Sequence, residues 1–79
     1  MTNKEWKELC EWADNNKFQV LHIGDRSHIY VEINDNRRFV IYDSGAIFME
    51  FKDIDISMDI FITRNRTVKQ IKAIIENLL

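Results

Sequence analysis

Proline is absent from these 79 residues, and glycine occurs only at Gly24 and Gly45. Flexible linkers and long structureless loops are therefore not expected. One cysteine, Cys10, excludes an internal disulfide framework and a cysteine-based zinc motif. No apolar run approaches the ~20 residues of a membrane-spanning helix, and the N-terminus has no basic-then-apolar leader pattern. A cytoplasmic protein is the expectation. A large excess of either charge is missing too. A formal net charge of −2 favours neither nucleic acid nor a membrane surface as partner.

What is present is the composition of a folded domain. Apolar residues make up 46% of the chain and charged residues 30%, outside the range of intrinsic disorder. The length predicts one domain over residues 1–79, too small to spare a second unit for catalysis. Twelve isoleucines and seven asparagines suggest an AT-rich genome, pointing to a low-GC bacterium, its phages or its mobile elements.

Thr2-Asn3-Lys4-Glu5 reads as a capping box, followed by Trp6, Leu9, Cys10 and Ala13 at helical spacing. Asn15-Asn16 ends that helix. The apolar period then changes to two, and strands are expected over Phe18–Ile23, His28–Ile33, Arg38–Tyr42, Ala46–Phe51 and Met58–Thr63. Turn residues separate the first four: Gly24-Asp25-Arg26, Asn34-Asp35-Asn36-Arg37 and Asp43-Ser44-Gly45. A second capping box, Thr67 to Gln70, opens a last helix with Val68, Ile71, Ile75 and Leu78 as its stripe. The expected fold class is α+β: an N-terminal helix, a four- to five-stranded antiparallel meander sheet, and a C-terminal helix. Whether both helices share one face of the sheet is left open by the pattern.

Treating Ser44-Gly45 and Asp35-Asn36 as two-residue hairpin loops fixes a register. One face then collects Ile29, Val31, Ile33, Val40, Tyr42, Ile47, Met49 and Phe51. The other collects Tyr30, Glu32, Phe39, Ile41, Phe48 and Glu50. That second face is apolar at its centre, so a helix, another subunit or a partner should cover it. A one-residue change in loop length would exchange the members of these faces.

Candidate chemistry is sparse. Asp53, Asp55, Ser57 and Asp59 place oxygens at the odd positions of a calcium loop, but Met58 and Arg64 stand where an EF-hand needs glycine and a bidentate glutamate. The stretch reads as a solvated acidic connection, with no metal and no cofactor expected. Arg64, Arg66 and Lys69 gather at a helix N-terminus, where cations oppose the macrodipole. They either pair with Asp53, Asp55 and Asp59 or await an anion. Tyr30, Phe39 and Phe48 suit protein contact better than base stacking, because Glu32 and Glu50 share their face and repel phosphates. Trp12 lies at the edge of the first helix's stripe, sealing the core or anchoring a partner. Cys10, His22 and His28 form no convincing nucleophile–base or zinc set. No phosphate loop or nucleophile elbow is present.

The reading is a non-catalytic protein-interaction domain, a small phage or mobile-element protein that binds and occludes a host macromolecule. Trp12, Tyr30, Phe39, Phe48, Arg64, Arg66 and Lys69 are its partner-binding candidates. A homodimer through the second sheet face is compatible with it. Nucleic-acid or other anion binding by the strip from Arg64 to Lys72 is the alternative and ranks behind a protein partner; no membrane is implied.

Overall fold

A computed structural model describes residues 1–54, 56–59 and 66–79, with residues 56–59 and 78 described by their backbone alone. The chain runs α1 (Asn3–Asn15), β1 (Gln19–Ile23), β2 (Arg26–Asn34), β3 (Arg37–Tyr42), β4 (Ile47–Phe51), β5 (Ile56–Asp59) and α2 (Val68–Leu78). The strands form one antiparallel sheet in the order β1-β2-β3-β4-β5. The expected α+β meander is therefore present. The final expected strand, Met58–Thr63, begins two residues earlier, at Ile56, and its residues 60–63 lie outside the described residues.

Local chemistry explains the helix ends. The Thr2 hydroxyl accepts from the Glu5 amide at 3.1 Å, and the Glu5 carboxylate accepts from the Thr2 amide at 3.0 Å. Two amides that no helical carbonyl can reach are thus satisfied. Thr67 and Gln70 repeat the device at α2, at 3.1 and 2.9 Å. At the other end of α1, Lys17 takes a left-handed φ of 66°. Its amide donates to Asp14 and that of Phe18 donates to Ala13, at 3.1 and 2.9 Å. This is the double bond pattern of a Schellman ending, built without the usual glycine. Phe18 then meets Trp12 edge-on, with ring centroids 5.5 Å apart, which sets the reversal from α1 into β1.

Two turns decide which side of the sheet each residue faces. Gly45, at φ 89°, closes a three-residue loop: its amide donates to Tyr42, and Tyr42 donates to Ala46, both at 2.9 Å. The positive φ supplies the bulge residue that such loops require. Ile41 therefore pairs with Ile47 and Val40 with Phe48, one residue away from the two-residue-loop register. The Asn34 carboxamide accepts from the amides of Asn36 and Arg37 at 2.9 and 3.0 Å, so Asp35-Asn36 is the expected two-residue turn. The register then shifts between Glu32 and Asn34. This irregularity inserts Ile33 as an extra residue.

Both shifts act on β3 and reverse it. Phe39 and Ile41, expected on the second face, join the helix-covered core; Val40 and Tyr42, expected in that core, move to the second face. The core consists of Leu9 and Ala13 from α1, Val68, Ile71 and Ile75 from α2, and Ile29, Val31, Phe39, Ile41 and Ile47 from the sheet. Both helices thus pack on one face. The opposite face carries no described helix. No helix among the described residues is long and apolar enough to cross a membrane.

Candidate functional site: the uncovered sheet face

Alternation along the strands places His28, Tyr30 and Glu32 from β2, Arg38, Val40 and Tyr42 from β3, and Phe48 and Glu50 from β4 on the uncovered face. The registers sort them into levels. At one end His28 lies opposite Tyr42. In the middle Val40 lies between Tyr30 and Phe48, and at the other end Arg38 lies between Glu32 and Glu50.

The aromatic end is closely connected. His28 and Tyr42 meet edge-to-face with centroids 4.5 Å apart, and Tyr42 meets Phe48 at 5.2 Å. Such pairs contribute roughly 0.5–1.5 kcal/mol each beyond their buried area. Val40, beside Tyr30 and Phe48, is only 1% exposed although no described helix lies on this face. The rings themselves remain half-buried. Burial, followed by the nearby charge of Glu50 and the Tyr30 phenol, raises the Tyr42 hydroxyl above its ordinary value of 10.0.

The charged end is neutral as a group. Arg38 Nε bonds Glu50 at 2.6 Å, Lys52 Nζ bonds Glu32 at 2.6 Å, and the second contact of Arg38, to Glu32, is 3.8 Å. The Arg38 guanidinium also lies 4.1 Å from the centre of the Tyr30 ring, joining the charges to the aromatics. Burial disfavours its charge, but the bond to Glu50 and the surrounding carboxylates outweigh that and hold it more firmly protonated. The two acids that argued against phosphate in the sequence are thus matched by two cations. A neutral patch gives a polyanion little to grip, whereas an aromatic surface containing an arginine suits a protein contact.

The other candidates separate. Tyr30 and Phe48 stand on this face, as expected. Phe39 does not: it is 1% exposed, in the core beneath the helices, because β3 is reversed by the loop at Gly45 and the irregularity at Ile33. Trp12 belongs to the helix layer, against Phe18 and with Lys72 Nζ 5.9 Å from its ring centre; it cannot share a contact surface with Tyr30 and Phe48. Arg66 is turned inward. It is 9% exposed and donates to the Gly45 carbonyl at 2.8 Å. A basic residue immediately before an N-cap gives no sequence sign of this, although that position often packs against the fourth helical residue, here Ile71. Lys69 is exposed on α2. Arg64 lies outside the described residues, and so does its pairing with Asp55 or Asp59. Arg66 therefore interrupts the strip from Arg64 to Lys72 as a basic surface. Sequence reading also missed Tyr42 and His28 as members of the uncovered face; an allowance for a three-residue loop ending in Gly45 would have found Tyr42.

A shallow groove of about 350 Å³ lies between α1 and β1, lined by Lys7, Cys10, Glu11, Asp14, Val20 and His22. Burial raises the Cys10 thiol above 9.0, the opposite of what a nucleophile needs. His22 Nδ1 lies 2.9 Å from the Ser27 hydroxyl. No cluster of metal-binding side chains is found among the described residues. No family model, curated protein or solved structure matches this chain.

Proposed function

We propose that this chain is a non-catalytic protein-interaction domain that docks through its uncovered sheet face and occludes the macromolecule it binds. One observation carries the reading: both helices pack on the same side of the sheet, leaving the opposite side aromatic, charge-balanced and without a described covering element. An antiparallel sheet with a merely wet face alternates apolar with polar residues more cleanly. Here Tyr30, Tyr42 and Phe48 form a half-buried aromatic platform, and aromatic residues dominate interface energetics. Arg38 and Lys52, each held by a carboxylate, would set orientation at its rim. The isoleucine- and asparagine-rich composition fits a bacterium, phage or mobile element, and the proposal places the protein in the cytoplasm with a host protein as its target.

The decisive experiment is affinity capture from the native host followed by mass spectrometry, with the Tyr30→Ala/Phe48→Ala double variant run in parallel. The captured protein should disappear with the double variant, whose circular dichroism stays native. Equal capture by both forms overturns the reading. Lys69→Gln serves as the control for the basic strip. If that change alone abolishes capture, and binding falls steeply with salt, an anionic partner replaces the proposed one.

A further inference from the structure

The first strand offers a second surface, independent of the uncovered face. β1 stands at the edge of the sheet. Its hairpin with β2 has a two-residue loop, Gly24-Asp25, closed by the pair Ile23 and Arg26, and Gly24 supplies the positive φ of 62° that such a turn takes at its first position. The closing pair of this loop is the hydrogen-bonded kind, and the two kinds alternate along an antiparallel ladder. Ile23, Leu21 and Gln19 therefore spend their backbone groups on β2. Val20 and His22 direct their N–H and C=O groups outward, where no described residue pairs with them.

Natural edge strands are normally blunted by proline, a bulge or an embedded charge. Gln19-Val20-Leu21-His22-Ile23 contains no proline, glycine, lysine, arginine or carboxylate. All five residues stay in register with β2. Ile23 is 56% exposed. We infer that β1 pairs antiparallel with β1 of a second copy of this chain, giving a continuous ten-stranded sheet.

The second copy is chosen over a foreign segment by symmetry and by order. A two-fold axis at Leu21 places Val20 opposite His22 of the second copy, twice, so all the outward groups find partners. Leu21 meets its own equivalent at the closer, non-hydrogen-bonded spacing, and Gln19 meets Ile23. The arriving strand is already extended and held by its own β2, so no unfolded segment must be ordered on binding. Lys7, Glu11 and Asp14 flank this edge from α1. Lys7 offsets part of the charge of Glu11 and Asp14, so the repulsion between two identical surfaces is small. A five-residue edge makes a small interface, so the dimer is reversible and concentration-dependent.

Sedimentation equilibrium of the full chain tests this. The wild type should show a monomer–dimer equilibrium. His22→Pro removes an outward donor without removing a backbone bond to β2 and should weaken dimerisation by about tenfold or more; His22→Ala, which keeps the donor and loses the same side-chain contact with Ser27, should leave it unchanged. Leu21→Lys, which sets two like charges face to face at the axis, should also weaken it and decides the matter if His22→Pro fails to fold by circular dichroism. Tyr30→Ala and Phe48→Ala should dimerise as wild type, so failure here and failure of the docking face are separately visible. A wild type that stays monomeric up to about 1 mM, or edge variants that dimerise like wild type, overturn the inference.

Discussion

Phe39 and Val40 are neighbours in β3, each 1% exposed, yet they are buried in different ways. Phe39 lies beneath two helices, among Leu9, Val68 and Ile71 of the core cluster. Val40 lies outside that cluster, between Tyr30 and Phe48, its cross-strand neighbours on the bare side. The first kind of burial depends on tertiary docking of distant segments. The second occurs on a face without a described helix, where the cross-strand neighbours are the rings of Tyr30 and Phe48. Low exposure alone therefore does not identify the core of this protein; what covers the residue decides.

Mutations on the two faces should separate stability from recognition. The largest expected effect is that of Phe39→Ala, which leaves a cavity below the helices and should cost about 3–5 kcal/mol; in a domain this small, chemical denaturation should find it largely unfolded in water. Next is Arg66→Met, which strips the bond to the Gly45 carbonyl and should cost about 1–3 kcal/mol, with the change visible at the β3–β4 loop by amide exchange. Val40→Ala removes two methyl-sized groups at about 0.8 kcal/mol each, and should destabilise by about 1.5 kcal/mol without loosening the helices. If Phe39→Ala and Val40→Ala prove equally costly, the distinction between the faces fails.

Two titrations give the smallest effects, one for the uncovered face and one for α1. The Tyr42 phenol is raised in the folded protein. Its stabilising contribution is therefore complete below the unfolded value and is lost as pH rises through the folded one. Stability should decline in the alkaline range above 10.0, and Tyr42→Phe should remove that part of the decline in thermal melts. Glu5 behaves oppositely. Its carboxyl is lowered mainly by the Thr2 backbone bond, then by the Thr2 hydroxyl, so its contribution is present above the ordinary value of 4.5 and fades as pH falls through the folded one. Glu5→Gln keeps a capping side chain but cannot titrate, and its melts should show a shallower acid limb.

The fold was largely legible because its signals are local. Capping boxes at Thr2 and Thr67, the change of apolar period after Lys17 and the polar turns each occupy a few adjacent residues. The faces of β3 were not legible, because they depend on counting. Ser44-Gly45 and Asp43-Ser44-Gly45 are equally good turn sequences, and the choice between them flips the strand. Ile33, within an otherwise regular alternation, gives no warning that the register shifts beside it. The candidate site follows: Tyr30 and Phe48, on the strands flanking β3, keep their expected face, whereas Phe39 exchanges faces with Val40. Arg66 was misread for a different reason. Its role depends on the Gly45 carbonyl, 21 positions away, which no local pattern reveals.

The strand order gives the protein a temporal structure as well. Since β1 to β5 lie side by side in the order of the chain, successive hairpins close over short loops, and each strand can add to a neighbour already in place. The packing of α1 and α2 on each other and on the sheet, and the reach of Arg66 to the β3–β4 turn, join segments far apart in sequence. The sheet can therefore grow progressively from the N-terminal side, with the last helix as its closing latch. Substitutions at Arg66 or Ile71 should then quicken unfolding more than they slow folding.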